Sequence, residues 1–217
     1  MNPTALDVIK AQLKESVSVK EQLLGNISSF GKDLETLAAA IVLAHENGGT
    51  VLFCGNGGSA ADAQHLSAEL SGRFRFDRPP INAEALHCNT SYLTAVGNDY
   101  GYELVFSRAC EAKLARGTSQ KPSYDVLIGF STSGNSANIV EAMKVASLRR
   151  CHTALFTGKS GANGKIAKAV PIKSLFSVPS DDTARIQECH ITLGHILCDL
   201  VECALFGSGD KRVKLHY

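Results

Sequence analysis

Residues 50–70, T-V-L-F-C-G-N-G-G-S-A-A-D-A-Q-H-L-S-A-E-L, decide the fold of this chain. Thr50–Cys54 is a short apolar run that stops at a Gly-Asn-Gly-Gly turn, which is typical of a fully buried strand. The stretch Ser59–Leu70 follows at once and predicts a helix. A buried strand that leads directly into a helix indicates an α/β fold with a parallel sheet.

The same alternation recurs along the chain. Asp125–Phe130 predicts a strand, the polar turn Ser131–Ser136 follows it, and Ile139–Leu148 predicts the next helix. Further strands are predicted at Thr153–Thr157, more weakly at Ala83–His87, and late in the chain around Val170–Lys173 and Leu175–Val178. Strands that alternate with helices indicate a mostly parallel sheet covered on both faces.

Helices are predicted over much of the remaining chain. The first 48 residues predict two helices, with Gly25-Asn26 and Gly31 as punctuation. Shorter helices are predicted at Tyr92–Val96 and Glu103–Ala115. Thr183–Phe206 predicts a long helix that is apolar all round, so we expect it to be buried or packed between subunits. We predict one domain over 1–217, with a helical pair at 1–48, an α/β core at 49–207 and a polar tail at 208–217.

Composition narrows the class of function. The 217 residues are 44% hydrophobic and 20% charged, with a formal net charge of +1. A net charge this close to zero produces no overall positive electrostatic potential that would attract nucleic acid or an anionic membrane. The charged N-terminal segment is unlike a signal peptide, and no apolar run approaches the ~18 residues of a membrane span. Seven cysteines without a C-x-x-C pair fit free thiols in a reducing compartment. We expect a cytoplasmic protein that binds neither nucleic acid nor membrane.

Two loops are predicted at the sheet edge where the carboxyl ends of the strands meet, and ligands bind at that edge. In Gly55–Ser59 the glycines let backbone amides approach an anion, and Ser59 is predicted at or near a helix N-cap. The loop Ser131–Ser136 offers four hydroxyls. Each loop alone also fits an ordinary strand–helix turn. The loop Gly55–Ser59 also matches a loose form of the dinucleotide-binding fingerprint, but that fingerprint does not account for the serine-rich loop. Both loops at one edge favour a phosphate site.

Acid–base candidates lie on two predicted helices. His65 and Glu69 are four residues apart and share a helix face. At ~1.5 Å per residue, Glu69 lies ~15 Å from Ser59, a little beyond the reach of an extended sugar phosphate. Gln187 and His195 differ by ~80° and ~12 Å along the last helix, so they converge only if both side chains lean together. By spacing alone, a solvated pair and a core histidine remain open alternatives.

Four motifs together resemble a known family over nearly the whole chain. The motifs are L-F-C-G-N-G-G-S-A-A-D-A-Q-H, A-V-G-N-D-Y-G-Y, G-F-S-T-S-G-N-S-A-N and A-R-I-Q-E-C-H. Together they resemble a sugar isomerase (SIS) domain, and in particular its phosphoheptose isomerase branch. The resemblance implies a three-layer α/β sandwich with a five-stranded parallel sheet flanked by helices. It also implies an aldose–ketose isomerase that converts sedoheptulose 7-phosphate to D-glycero-D-manno-heptose 7-phosphate for bacterial lipopolysaccharide or capsule. The loop Ala115–Ser123 looks longer than is usual in the family.

The resemblance also implies residue roles. Glu69 would be the general base that moves a proton between C1 and C2 through an enediol, and His195 would be a general acid/base on the sugar oxygens. One zinc ion per subunit would be held by His65, Glu69, Gln187 and His195, of which a glutamine oxygen is a weak ligand. The implied substrate-binding residues are Asn56, Gly57, Gly58, Ser59, Glu69, Asn98, Asp99, Ser131, Thr132, Ser133, Ser136 and Gln187.

The resemblance further implies a homotetramer with sites at subunit interfaces, where Gln187 and His195 meet Glu69 of a neighbouring chain. The main alternative is a non-catalytic SIS scaffold that binds a replication initiator, like the DnaA initiator-associating protein. A second alternative is a sugar-phosphate sensor, which needs the phosphate site without the acid–base pair. Because this sequence keeps both Glu69 and His195, we favour the enzyme. Nothing in the residues themselves selects seven carbons over six.

Overall fold

Five strands form one parallel sheet in the order β2-β1-β3-β4-β5. The computed structural model describes residues 2–118, 120, 123–209 and 212–215. All four strand pairs are parallel, so the carboxyl ends of all five strands lie at one edge. The predicted five-stranded parallel sheet is confirmed. The strands are β1 Val51–Gly55, β2 Ala83–Ala85, β3 Val126–Ser131, β4 His152–Gly158 and β5 Ser174–Val178.

Helices connect the strands and cover the sheet. Among the described residues they are α1 Ala5–Gly25, α2 Ile27–Glu46, α3 Gly58–Ser71, α4 Thr90–Tyr100, α5 Val105–Lys113, α6 Ala137–Leu148, α7 Lys165–Ala169 and α8 Thr183–Phe206. In the described part of the chain, 3₁₀ turns lie at Tyr102–Leu104 and Ser160–Asn163. The long last helix agrees with its predicted bounds.

Two hydrophobic cores, one on each face of the sheet, make a three-layer sandwich. Phe53 and Ile128 point into a core shared with α1, α2, α3 and α8. Their neighbours Leu52 and Leu127 point into the other core, with helices α4–α7. This alternation follows from the two-residue period of a strand, and burial on both faces explains why the strands read as continuous apolar runs. All seven cysteines are free thiols; five are buried, whereas Cys88 is exposed.

One expectation needs correction, and one short helix was not predicted. Gly31 does not interrupt the chain but lies inside α2, because one glycine costs a helix interior only about 1 kcal/mol. The short helix α7 and the 3₁₀ turn before it were not predicted, since four or five residues carry no readable periodicity. In the tail predicted at 208–217, residues 210, 211, 216 and 217 lie outside the described residues. The division into helical pair, core and tail remains a prediction.

The helix α8 packs against α2, α3 and the sheet. Ten of its residues are buried, among them Arg185, His190 and Glu202, while Ile196 is 44% exposed. Among the described residues it is the one helix with the length and composition to cross a membrane, a property that core helices of soluble proteins share. The expectation that the protein binds no membrane therefore remains a prediction.

Candidate active site

The two predicted anion-binding loops follow neighbouring strands. The register pairs Gly55 at the end of β1 with Phe130 near the end of β3, so both loops leave the sheet side by side. From β1 the chain continues to β2 on one side, and from β3 to β4 on the other. The loops therefore flank a switch point of the sheet, where ligands of open α/β folds bind.

The first loop is built around glycines. Gly57 caps α3 with φ of 56°, a left-handed conformation that a side chain would strain. A Cβ on Gly58 would lie 2.6 Å from Nε2 of Gln187, so the missing side chain lets α8 approach the loop. Ser59, predicted at or near the N-cap, is the second residue of the helix and is 4% exposed; the N-cap itself is Gly57. The loop thus brings Gln187 to the helix N-terminus.

In the serine-rich loop, one hydroxyl-bearing residue is buried and two others line a hollow at the surface. Ser131 is buried, and its Oγ lies 3.0 Å from that of Ser136. Thr157 donates a hydrogen bond to the Ser131 carbonyl at 2.7 Å. Thr132 and Ser133 instead line a hollow of about 250 Å³ with Asn135, Ser160, Asp181, Thr183 and Ile186. The loop therefore contributes two hydroxyl-bearing residues to the wall of a space that a phosphate can enter.

An amide pair joins the two loops. The side chains of Asn56 and Asn138 exchange two hydrogen bonds, both of 2.9 Å, and the Tyr102 hydroxyl donates to Asn56 Oδ1 at 3.2 Å. Asn138 lies in the first turn of α6 and is buried. Asn138 and Tyr102 were not identified from the sequence as site residues, because their partner lies far away along the chain. The pair holds the two loops at a set separation.

Three chemically active side chains converge between α3 and α8. Nε2 of His65 lies 2.8 Å from Nε2 of His195 and 3.3 Å from Oε1 of Glu69. The ligand atoms of all three lie within 4.8 Å of one another. We expected His195 to meet Glu69 across a subunit boundary, and this was wrong: the cluster forms within one chain, because α3 and α8 are packed neighbours.

Two contacts set this meeting of α3 and α8. A Cβ on Gly194 would lie 2.4 Å from Leu66 Cδ1, so a glycine beside His195 allows α8 to lie against α3. On the other side, the Phe74 ring stacks on the His195 imidazole with centroids 5.7 Å apart and an interplanar angle of 12°. The histidine ring is thus held between His65 and Phe74. Phe74 was not identified from the sequence as a site residue.

A second carboxylate, that of Asp62, lies next to the cluster. Asp62 lies one turn before His65 on α3, and burial raises the pKa of its carboxyl to about 6, against the opposing effect of His65. Its Oδ2 is buried and has no hydrogen-bond partner among the described residues. The His65 side chain itself is 49% exposed, so the cluster opens to solvent on one side. Asp62 adds negative potential beside the two imidazoles.

The donor set suits a metal ion. Two imidazole nitrogens and one carboxylate oxygen are ordinary zinc ligands, and their convergence matches a site with three protein ligands and an open position. Gln187 lies against Gly58, and its membership of the set remains a prediction. Asn98 and Asp99 lie exposed at the end of α4, where the Asn98 amide donates to Asp99 Oδ1 at 2.9 Å. Their role toward substrate also remains a prediction.

Comparison with known proteins identifies the class. A family model described as the SIS domain matches residues 18–158, which is more than half of the chain. A phosphoheptose isomerase from Geobacter sp. (strain M21) is 46% identical over 205 residues, covering 94% of this chain and all of the relative. One from Aquifex aeolicus is 47% identical over 197 residues, covering 91% of this chain and 96% of the relative. The chain belongs to the SIS domain family.

Solved structures narrow the class further. A phosphoheptose isomerase from Francisella tularensis superposes with a TM-score of 0.81 at 34% identity, over 92% of this chain and 98% of that one. The phosphoheptose isomerase GmhA from Neisseria gonorrhoeae has a TM-score of 0.79 at 41% identity, over 92% and 99%. Within the SIS family, the chain belongs to the phosphoheptose isomerases, as the motifs predicted.

Proposed function

We propose that this protein is an aldose–ketose isomerase that converts sedoheptulose 7-phosphate to D-glycero-D-manno-heptose 7-phosphate. The observation that carries the proposal is the convergence of Glu69, His65 and His195 between α3 and α8, together with a serine-rich loop that lines a hollow of about 250 Å³. A linear sugar phosphate needs both ends of such a site, because its phosphate must be held while C1 and C2 react. The names of the similar proteins support the same activity.

Glu69 is the group suited to move the proton of the sugar carbon. Its carboxylate is half-buried beside the imidazole of His65, in the last turns of α3. In the proposed reaction it removes a proton from C1 of the ketose and returns it to C2, so that an enediol is the intermediate. A carboxylate on a packed helix keeps one position through both transfers.

His195 handles the oxygen protons in this proposal. A neutral imidazole carries one donor and one acceptor nitrogen, so it can give a proton to one sugar oxygen and take one from the next. The stacked Phe74 ring and the adjacent His65 restrict its rotation. The orientation of the imidazole is therefore set before substrate arrives.

A zinc ion, one per subunit, is proposed at His65, Glu69 and His195, with Gln187 as a weaker fourth ligand. When bound, the ion would act as a Lewis acid that polarises the substrate carbonyl. The support is the donor chemistry and the spread of the ligand atoms, at most 4.8 Å. The approach of the two imidazole nitrogens to 2.8 Å also supports the proposal that these side chains bind one ion.

The phosphate is proposed to bind at the β3–α6 loop. Thr132 and Ser133 face the hollow, and the N-terminus of α6 contributes free amides and a favourable dipole. The glycine loop at 56–58 and Gln187 would line the middle of the substrate, with Asn98 and Asp99 near its hydroxyls. No lysine or arginine is needed, since hydroxyl and amide donors satisfy the phosphate oxygens.

The homotetramer is proposed from an uncovered apolar surface. Leu6, Ile9, Leu13 and Val17 on α1 are each more than half exposed. Farther along, Leu23, Leu24, Ile27, Phe30 and Ile196 line an apolar hollow of about 230 Å³. A contiguous apolar surface of this kind marks a protein interface. The cytoplasm is the proposed location, which the free thiols support.

The scaffold alternative receives no support from the site. A protein that only binds a replication initiator needs no convergent acid–base pair, whereas Glu69, His65 and His195 meet here across two helices. The similar curated proteins carry an isomerase name.

The deciding experiment is a substrate comparison followed by NMR. Purified protein is incubated with sedoheptulose 7-phosphate or fructose 6-phosphate in D₂O, and deuterium incorporation at C1 and C2 is followed with time. We expect conversion and exchange with the seven-carbon ketose. Absence of exchange with both sugars would contradict an isomerase, and preference for the six-carbon sugar would contradict the heptose assignment alone.

A further inference from the structure

The segment between α3 and β2 is held by one buried carboxylate. Glu202 of α8 has a side chain that is 0% exposed. Its Oε1 accepts hydrogen bonds from Phe74 N–H at 3.1 Å and Arg78 Nε at 2.9 Å. Its Oε2 accepts from Arg75 N–H at 2.6 Å and Phe76 N–H at 3.1 Å. Four donors surround one charge, so the carboxylate is satisfied only in its ionised form.

Arg78 connects this carboxylate to the end of α3. Its side chain is 1% exposed, and its guanidinium donates to the carbonyls of Glu69 and Leu70, each at 2.8 Å. A further bond of 3.2 Å reaches the Gly72 carbonyl. The last carbonyls of a helix lack partners within the helix, and a cation there also complements the dipole. Arg78 therefore caps the turn of α3 that carries Glu69.

The same pair reaches His195. Glu202 follows His195 on α8 by about two turns, so both lie on one rigid element. Phe74, whose N–H bonds to Glu202, stacks on the His195 ring. One buried ion pair thus contacts the helix of the proposed base, belongs in part to the helix of the proposed acid, and binds the backbone of the residue whose ring stacks on the acid.

We propose that the Arg78–Glu202 ion pair is a positioning pair that sets Glu69 against His195. This inference rests on the proposed isomerase function and adds two residues to it. Neither residue touches the reacting atoms; both act through Phe74 and the backbone of α3. Because a displacement of about 1 Å in a catalytic constellation can cost about 100-fold in rate, such a pair controls turnover without binding substrate.

Glu202→Gln tests the pair with little change of shape. Whichever way the amide turns, its NH₂ group faces two N–H donors, because each carboxylate oxygen accepts from two. Arg78→Lys keeps the charge but replaces the planar fork by a single ammonium, so fewer helix-end carbonyls are bound. The matched control is Val201→Ala, which removes buried volume from the neighbouring residue of α8 and leaves the pair intact.

The experiment measures kcat, KM and the affinity of the metal-free protein for Zn²⁺, each at a temperature where the variant is fully folded. The melting temperature is measured separately. For Glu202→Gln we expect kcat to fall about 10- to 100-fold. We expect KM to change less than about twofold, because the phosphate loop belongs to β3 and α6. Zn²⁺ affinity should fall about 10- to 100-fold, as for other residues that orient metal ligands. Arg78→Lys should show a smaller loss of both, and Val201→Ala a lower melting temperature with the parent kcat.

A folded Glu202→Gln protein with the kcat and Zn²⁺ affinity of Val201→Ala would overturn the positioning role. If Glu202→Gln does not fold, Arg78→Lys is judged by the same criterion. If the parent protein isomerises no sugar phosphate, the proposed function fails on its own, and the Zn²⁺ titration of the variants still decides the positioning role.

Discussion

His65 and His195 bring their Nε2 atoms to within 2.8 Å of each other, although 130 residues of chain separate them. At that distance one nitrogen donates and the other accepts, so at least one of the two imidazoles is neutral. Neutral imidazole is also the form that binds a metal ion. The contact therefore forms a proton-sharing pair between α3 and α8, with Glu69 at 3.3 Å from His65.

Replacing the proposed base removes turnover without removing substrate binding. For Glu69→Gln we expect kcat to fall about 10²- to 10⁴-fold, the usual contribution of general base catalysis, with little change in KM. The measurement is a steady-state assay with deuterium exchange at C1. The control Glu141→Gln removes an exposed carboxylate that pairs with Lys144 on α6, and should keep the parent rate. Full activity of Glu69→Gln would exclude this base.

Metal removal should inactivate the protein reversibly. Dialysis against a chelator is expected to abolish isomerisation, and Zn²⁺ to restore it, because the three donors lie within 4.8 Å of one another. His65→Ala should weaken Zn²⁺ binding measured by calorimetry. His45→Ala, on α2 beside Phe206, should bind Zn²⁺ like the parent. Undiminished activity in the chelated protein would contradict the proposed metal site.

Loss of one hydroxyl from the phosphate loop should weaken substrate binding. Ser133 is exposed to the hollow, so we expect Ser133→Ala to raise KM about tenfold, the value of one hydrogen bond to a charged group. The effect on kcat should be smaller, because the reacting carbons lie at the other end of the site. Ser147→Ala, at the far end of α6, is the control. An unchanged KM in Ser133→Ala would place the phosphate elsewhere.

Stability should fall as the pH drops below the ordinary histidine range. Burial lowers the pKa of His190 to about 4, whereas the unfolded chain takes up this proton near 6.5. The unfolded state therefore binds more protons between these values, and up to about 3 kcal/mol of the free energy of unfolding is lost from pH 6.5 to 4. His152, with a pKa lowered to about 4 mainly by burial, acts in the same direction. Asp62 opposes part of the loss, because burial raises its pKa to about 6.

Urea denaturation at pH 7.5 and pH 5 measures this difference. His190→Leu places an apolar side chain between Phe130 and Phe156 and removes the titrating group. The free energies of unfolding of this variant at the two pH values should therefore differ less than those of the parent. An equal pH difference in both proteins would contradict the assignment to His190.

A charge on the uncovered face of α1 should break the oligomer. Leu13 is 64% exposed in the single chain, and Leu13→Asp would bury a carboxylate in the proposed interface. We expect sedimentation velocity to show a tetramer for the parent and smaller species for this variant. Leu148→Asp changes a leucine that is 81% exposed on α6 and should remain tetrameric. A monomeric parent protein would contradict the tetramer.

Some elements were predictable from the sequence because their signals are local. The apolar run before Gly-Asn-Gly-Gly and the helical pattern of Thr183–Phe206 each lie within one window of the chain. The positions of His65 and Glu69 on one helix face follow from the 3.6-residue period. The short helix α7 and the glycine cap at residue 57 were missed because a few residues carry no period and backbone torsion is not visible in letters.

Local order along the chain thus determined the strands, the helices and the two loops at one sheet edge, because periodicity and turn chemistry act between near neighbours. Only the tertiary structure decided that His65 meets His195 inside one chain, that Asn56 pairs with Asn138 over 82 residues, and that Arg78 pairs with Glu202 over 124. Such contacts depend on how closely two helices approach, and that distance is set by packing details such as Gly194 against Leu66. The spacing of residues in the sequence does not reveal how closely α3 and α8 approach each other, because most of the sheet lies between them along the chain.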